Sequence, residues 1–137
     1  MSASFDTLVR VRYAETDKMG VVYYANYYIY FEIGRVEYMR NLGIDYKRME
    51  IEDDSFIVVG ESKCRYRRPA RYDDLLRIRT RVLSVKRRTI HFGYEIVRDE
   101  TGELLAAGET IHVVCGTNGK PKALPEKYRS ILANRVA

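Results

Sequence analysis

An aspartate near the start of the chain is the side chain best placed to do chemistry. Asp17 follows an alternating stretch that ends near Tyr13, and Gly20 stands three residues further on. A helix is predicted to begin between Tyr23 and Tyr27, and the first N–H groups of a helix have no intrahelical partners. A carboxylate that faces such groups across a loop could act as base or nucleophile in acyl transfer. The alternative is a loop or capping aspartate, which is the commoner role of this residue type.

The helix that follows Asp17 must hold this arrangement in place. It is predicted over Tyr27–Leu42, and Gly43 is suited to end it. Both sides of the helix are apolar, which requires protein on both. The two apolar arcs consist of Tyr28, Phe31, Tyr38, Met39 and Leu42, and of Ile29, Ile33 and Val36. Glu32 and Arg35 are three residues apart, and we expect an internal ion pair between them rather than a catalytic role.

The remaining sequence alternates between apolar and polar residues, which is typical of β-strands. Strands are predicted near Leu8–Tyr13, Ser62–Arg67, Leu76–Val82, Ile90–Ile96 and Leu104–Cys115, with a short helix over Pro125–Ala133. One strand, one long helix and four further strands predict an α+β fold. We expect a single domain over residues 1–137, in which a curved antiparallel sheet of about five strands wraps one long central helix.

The other reactive side chains have simpler interpretations. His91 and His112 have no carboxylate or cysteine at metal-ligand spacing, so we expect both to be residues of a strand face. Cys64 and Cys115 fall on apolar-facing strand positions and are expected to be small core residues, not nucleophiles. Half of the twelve tyrosines lie in residues 23–38. They could line an aryl pocket, although such a cluster more often packs a helix.

The composition excludes several classes of protein. A chain of 137 residues with 46% hydrophobic residues is one globular domain with one core. No run approaches the ~18 apolar residues of a membrane helix, so no membrane span is expected. The first residues lack the basic and apolar regions of a signal peptide. Two cysteines do not make a disulfide framework, so we expect a cytoplasmic protein.

Positive charge is concentrated in one part of the chain. The formal net charge is +5, but residues 61–90 contain eleven Lys or Arg against three acids, and the remainder is net negative. Such a segment permits nucleic acid or phosphorylated ligands as partners. The simpler alternative is a solvated face of a sheet.

The segment around Asp17 resembles the signature of the 4-hydroxybenzoyl-CoA thioesterase family of hotdog-fold acyl-CoA thioesterases. The residues that match the signature are Arg10, Val11, Thr16, Asp17, Gly20, Val21 and Val22, together with the aromatic Tyr27. The resemblance includes the pair Arg68-Pro69 and the turn Thr101–Glu103, and it covers roughly residues 8–116. It departs at Tyr24, where many bacterial members carry histidine.

The resemblance implies an enzyme that hydrolyses a CoA thioester to a free acid and CoA, without metal or redox cofactor. It implies that Asp17 is the catalytic carboxylate and that the backbone N–H of Tyr24 is an oxyanion donor, with Gly20 and Val21 beside the substrate. A backbone donor works with any side chain, so tyrosine in place of histidine should leave activity intact. Whether Asp17 attacks the thioester or activates a water stays open, because both routes need the same carboxylate.

The basic triplet, Lys86, Arg87 and Arg88, stands between two predicted strands. Clustered Lys and Arg suit the 3′-phosphate and diphosphate of CoA, and the resemblance places CoA-contacting basic residues around this hairpin. The alternative is a solvated turn. The family fold further implies a homodimer or homotetramer with the site at a subunit interface.

Two other functions are compatible with the basic segment. One is a non-catalytic protein that binds RNA or another polyanion, although no RNP-like motif and no interleaved aromatic residues support it. The other is a thioesterase that acts on acyl carrier protein, an acidic partner suited to a basic surface. The sequence does not specify the acyl group.

Overall fold

A computed structural model describes residues 4–136. The secondary structure of this range is β1 (Phe5–Arg10), α1 (Asn26–Asn41), α2 (Tyr46–Ile51), β2 (Phe56–Tyr66), β3 (Leu75–Val85), β4 (Thr89–Arg98), β5 (Leu104–Cys115) and α3 (Glu126–Ala133), with a 3₁₀ turn at Tyr13–Glu15. None of the helices described here has both the length and the apolar character needed to cross a lipid bilayer.

The five strands form one antiparallel sheet in the order β1-β3-β4-β5-β2. Strands β1 and β2 are therefore its two edges. Helix α1 contacts β1, β3 and β4 and packs on one face of the sheet. The predicted α+β hotdog architecture, with a five-stranded antiparallel sheet around a long helix, is confirmed.

Within this chain, helix α1 is mostly buried on its first apolar arc and partly exposed on its second. Tyr30, Phe31 and Met39 are fully buried, and the ring of Phe31 stacks on Tyr94 at a centroid distance of 4.4 Å. On the second apolar arc, by contrast, Ile29 is 47% exposed. The expectation that protein covers both arcs is therefore not met by one copy of the chain.

Several predicted boundaries differ from the structure. The first strand ends at Arg10 and not at Tyr13, because the chain turns into the 3₁₀ segment. The sequence analysis missed α2, whose first turn is capped by the Asp45 carboxylate. Strand β2 begins at Phe56, well before the predicted start at Ser62. The sequence analysis missed this first part because a register shift at Gly60 interrupts the alternation of apolar and polar residues.

The predicted ion pair between Glu32 and Arg35 is wrong. Glu32 is exposed, whereas Arg35 is buried and donates to the hydroxyls of Tyr46 (3.3 Å) and Tyr94 (3.2 Å). Within residues 4–136 the Arg35 guanidinium makes no ion pair with a carboxylate. The tyrosine hydroxyls satisfy part of its hydrogen-bonding capacity, as a buried charge requires.

A directional chain of hydrogen bonds continues from Arg35 under the helix. The Tyr94 hydroxyl lies 2.6 Å from Thr110 Oγ1, which lies 2.8 Å from His112 Nε2, and His112 Nδ1 lies 3.3 Å from the Ile57 carbonyl. Because the Ile57 carbonyl only accepts, His112 donates to it from Nδ1. Its lowered pKa keeps the ring neutral, so Nε2 accepts from Thr110, and the Thr110 hydroxyl in turn accepts from Tyr94.

The pH dependence of stability tests this assignment of His112. Burial, and then the nearby Arg35 cation, lower the pKa of His112 to about 4. Between its ordinary pKa of 6.5 and that value, the unfolded chain binds a proton that the folded chain does not. We therefore expect folding stability to fall as the pH drops through this range. His112→Asn keeps a donor for the Ile57 carbonyl but does not titrate, so its Tm should fall less than that of the wild type. Parallel Tm curves for the two proteins would contradict the assignment.

The approach of α1 to β3 depends on Gly34. A Cβ at this position would lie 2.5 Å from Thr80 Oγ1 and 2.7 Å from Ile78 Cγ2. Overpacking of this kind costs ~1–3 kcal/mol, which opposes the gain of ~1 kcal/mol that alanine brings to a helix interior. The structure therefore has no room for a side chain at the centre of the helix.

We expect Gly34→Ala to lower the free energy of unfolding in urea by about 1 kcal/mol, because the steric cost exceeds the helix gain. Thr80→Ala provides the matched test, since Thr80 Oγ1 is buried with no hydrogen-bond partner among residues 4–136 and its removal opens space. The double variant should be more stable than the sum of the two single effects predicts. Strict additivity would show that the contact with Thr80 does not limit the packing.

Candidate active site

Asp17 lies in a short, hydrogen-bonded loop, the Asp17 loop (residues 16–22), and not directly at a strand end as expected. Its N–H donates to the Val21 carbonyl (2.9 Å), its carbonyl accepts from Gly20 N–H (3.0 Å), and its Oδ1 accepts from Met19 N–H (2.8 Å). Gly20 has φ +79°, a conformation that side chains rarely adopt. The loop holds the backbone of Asp17 firmly while its carboxylate remains exposed.

The start of α1 leaves two backbone N–H groups without acceptors. The N–H of Tyr23 donates to the Glu15 carbonyl (2.9 Å), and that of Asn26 donates to the Tyr23 carbonyl (2.9 Å). Between them, the N–H groups of Tyr24 and Ala25 donate to no group within residues 4–136. No side-chain hydrogen bond caps α1 in this range, and its first turn holds no acidic residue. The positive end of the helix is therefore open to an incoming negative charge.

Asp17 and Tyr24 line the same open cavity, the Asp17 cavity, which has a volume of about 400 Å³. Its walls are mostly aromatic and apolar, with two arginines at one side. The residues that line it are Asp17, Val21, Val22, Tyr23, Tyr24, Tyr27, Tyr66, Arg67, Arg68 and Pro69. Asp17, Tyr24 with its unbonded N–H group, and a surface suited to an apolar acyl group thus border one cavity.

Two tyrosines of this cavity, Tyr66 and Tyr27, hold the backbone. The Tyr66 hydroxyl donates to the Tyr24 carbonyl (3.1 Å), and the Tyr27 hydroxyl accepts from Ala70 N–H (3.2 Å). Burial raises the pKa of Tyr66 and that of Tyr27 above the ordinary value, so both hydroxyls stay protonated. Asp17 is the carboxylate that lines this cavity.

The structure brings some of the expected site residues together and separates others. Val21 lines the Asp17 cavity, whereas Gly20 shapes the turn beside it. The basic triplet forms the exposed turn between β3 and β4. The Asp17 loop contacts the chain at Arg71, just before β3 begins. The basic triplet lies at the opposite end of β3, directly after its last residue. Because β3 has 11 residues, roughly 35 Å separates the two ends.

Sequence reasoning missed three parts of the site. Arg67 and Arg68 line the Asp17 cavity, but the sequence analysis used them only as basic residues and as half of an Arg-Pro pair. Tyr66 gave no signal beyond its place in a strand. Glu15, two residues before Asp17, is only 7% exposed, although acidic residues are almost never buried unless paired. Residues 12–15, just before the candidate catalytic Asp17, mix basic, aromatic, small and acidic side chains. This mixture could have pointed to a buried and paired Glu15.

Comparison with known proteins places the chain in a family. Residues 11–132 match the model of the thioesterase-like superfamily. The chain belongs to this superfamily. It is 36% identical over 128 residues to "Acyl-CoA thioesterase YbgC" of Haemophilus influenzae, with 92% of each chain covered.

Two solved structures show the same relationship in three dimensions. The hypothetical protein TT1821 from Thermus thermophilus has a TM-score of 0.88 and 35% identity, covering 94% of this chain and 95% of that one. A DHNA-CoA thioesterase from Staphylococcus aureus has a TM-score of 0.84 and 33% identity, covering 88% and 80%. The relationship to this superfamily extends over nearly the whole fold.

Proposed function

We propose that the protein hydrolyses acyl-CoA thioesters to the free acid and CoA, with Asp17 as base or nucleophile and Tyr24 N–H as oxyanion donor. The observation that carries the proposal is the Asp17 cavity, in which an exposed carboxylate and a helix start with unbonded N–H groups lie together. The names of the YbgC relative and of the DHNA-CoA thioesterase support CoA thioesters as the substrate class.

The chemistry requires stabilisation of one developing charge and transfer of one proton. Attack on the thioester carbonyl by water or by Asp17 breaks its π bond and places negative charge on the oxygen. Tyr24 N–H stabilises that oxyanion, assisted by the helix dipole. The tetrahedral intermediate then expels CoA as the thiolate. In the water route Asp17 takes the proton and passes it to the leaving sulfur, and in the covalent route water hydrolyses the resulting anhydride.

The substitution Asp17→Asn tests the carboxylate. The amide can still accept a hydrogen bond from Met19 N–H, so the loop should keep its shape, but it neither attacks nor accepts a proton. We expect a loss of kcat of at least ~100-fold, the usual effect of losing a general base, with acyl-CoA binding and Tm close to those of the wild type. Retention of more than about a tenth of wild-type kcat in a folded variant would refute the assignment.

The proposed active form is a dimer that pairs through strand β2. This edge strand exposes Val58 (50%) and Val59 (48%), and unpaired backbone groups on an edge favour pairing with another strand. The Tyr66 end of β2 borders the Asp17 cavity. The Phe56 end lies beside the last residue of β5, near the basic triplet that precedes β4.

Antiparallel pairing of two β2 strands places the Tyr66 end of one strand beside the Phe56 end of the other. The Asp17 cavity of one chain would then lie at the same end of the joined sheet as the basic triplet of its partner. This resolves the separation of roughly 35 Å within one chain, because one CoA could extend from the cavity to the partner's triplet. Whether two such dimers form a tetramer remains a prediction.

Mixed dimers test this composite site. One chain carries Asp17→Asn, and the other carries Lys86→Ala, Arg87→Ala and Arg88→Ala. If the site is shared, one of the two sites in the mixed dimer keeps both groups, and we expect the wild-type KM with about half the wild-type kcat. If each site belongs to one chain, the KM should equal the raised value of the triple-alanine homodimer.

Two controls accompany the mixed dimers. The backbone carbonyls of Arg87 and Arg88 accept hydrogen bonds from Leu124 and Val114, and alanine keeps these bonds, so the triple variant should fold. Analytical ultracentrifugation should show dimers or tetramers for every variant. A stable wild-type monomer at micromolar concentration would exclude the composite site.

The structure bears differently on the two alternative partners, RNA and acyl carrier protein. Within residues 4–136, four of the eleven cations of the basic segment are paired, since Arg77 and Arg79 pair with Asp6, Lys63 with Glu109 and Arg68 with Glu103. These pairs reduce the number of free cations that RNA binding requires. Arg65, Arg67 and Arg81 line a depression of about 480 Å³ and make no ion pair within residues 4–136. They suit an acidic acyl carrier protein, for which kcat/KM on carrier-bound and CoA-bound forms of one acyl group is the test.

A cytoplasmic location also remains a prediction.

A further inference from the structure

We propose that Glu15 is a positioning residue that sets the oxyanion donor opposite Asp17, an inference that rests on the proposed function. Its side chain is buried between the 3₁₀ turn and α1. Glu15 Oε1 accepts from Arg12 N–H (2.9 Å) and from the Tyr30 hydroxyl (2.8 Å), and Oε2 accepts from Arg12 Nε–H (2.8 Å). The carboxylate thus joins the segment that precedes Asp17 to a fully buried residue of α1.

The backbone carbonyl of Glu15 makes the second connection. It accepts from Tyr23 N–H (2.9 Å) and from Asn26 Nδ2 (2.8 Å), which uses both of its lone pairs. Tyr23 N–H is thereby occupied. The next amide along the chain, that of Tyr24, is the first amide of the helix start that has no acceptor among residues 4–136. The Glu15 carbonyl therefore determines which amide of the helix start is available to the substrate.

The two connections act on the same peptide unit. The carboxylate fixes the side chain of Glu15 to α1, and the carbonyl fixes its main chain to the residues that open α1. Two residues later, the chain enters the Asp17 loop. Glu15 thus connects the chain that enters the Asp17 loop with the residues around the Tyr24 amide, whose carbonyl also accepts from the Tyr66 hydroxyl.

Both the charge and the length of Glu15 are used. Burial would raise the pKa of Glu15, but the hydrogen bonds from Arg12 and Tyr30 outweigh it and hold the pKa below its ordinary value. Three donors thus face an ionised carboxylate. A glutamine has one acceptor oxygen, and its NH₂ group would oppose the Arg12 Nε–H donor. Glu15→Gln therefore disturbs the geometry without removing the side chain.

The test compares Glu15→Gln with Glu109→Gln, Glu15→Ala and Asn26→Ala. Glu109 is a matched control, because it also accepts from a basic side chain, that of His91 (2.6 Å), but lies on β5 away from the Asp17 cavity. A misplacement of ~1 Å in an active site can cost about 100-fold in rate. We expect Glu15→Gln to lower kcat by about 10- to 100-fold with little change in KM, and Glu15→Ala to lower it further. Glu109→Gln should keep wild-type kcat.

Hydrogen exchange provides a readout without substrate. The Tyr23 amide should exchange faster in Glu15→Gln and in Asn26→Ala than in the wild type, because its acceptor is less firmly held. A folded Glu15→Gln variant with wild-type kcat and unchanged Tyr23 exchange would overturn the inference. So would a fall in kcat that only matches the fraction of unfolded protein. If the wild type itself turns over no CoA thioester, the proposed function fails, and the exchange result still decides whether Glu15 positions the amide.

Discussion

The hydrogen bonds of Glu15 are the constraint on which the candidate site depends. Only residues 23–25 separate the Asp17 loop from α1, and the bond from the Tyr66 hydroxyl to the Tyr24 carbonyl and that from Val22 N–H to the Ala70 carbonyl also hold this region. The carbonyl of Glu15 receives Tyr23 N–H and the Asn26 side chain, while its carboxylate receives the Tyr30 hydroxyl. These bonds tie the segment that leads to Asp17 to the helix start that carries the unbonded Tyr24 amide.

The rest of the fold supplies a rigid base for that placement. Helix α1 approaches β3 closely at Gly34, and the stack of Phe31 on Tyr94 fixes the helix against the sheet. Below it, the hydrogen-bond chain from Arg35 to His112 satisfies polar groups that burial would otherwise leave unpaired. A helix held in this way presents its N-terminus in a constant position, which is the condition for oxyanion stabilisation without reorganisation.

The parts of this arrangement that depend on local sequence could be predicted, and the parts that depend on distant contacts could not. The start of α1 and all five strands follow from periodicity, although several strand boundaries differ, and a short motif singles out Asp17 as the candidate catalytic residue. The role of Glu15 depends on Tyr30, 15 residues away, and no periodic pattern encodes that contact. Arg35 was assigned to Glu32 because sequence spacing cannot show that Tyr46 and Tyr94 surround it.

The edge of the sheet illustrates the same limit. The start of β2 was missed because its exposed residues and the register shift at Gly60 remove the alternation. The exposed side of α1 and the separation of Asp17 from the basic triplet both concern surfaces that a second chain would cover. Patterns within one sequence describe one chain, so they cannot identify a site that two chains would share.

We propose that the Tyr24 amide binds the oxygen of the thioester carbonyl while Asp17 acts on its carbon. A crystal structure of the Asp17→Asn variant with an uncleaved acyl-CoA measures this directly. We expect the thioester oxygen ~2.7–3.1 Å from Tyr24 N, with the carbonyl carbon beside the side chain of residue 17 in the Asp17 cavity. A thioester bound with its oxygen at another donor, while Tyr24 N–H stays unbonded, would show that Tyr24 is not the oxyanion donor.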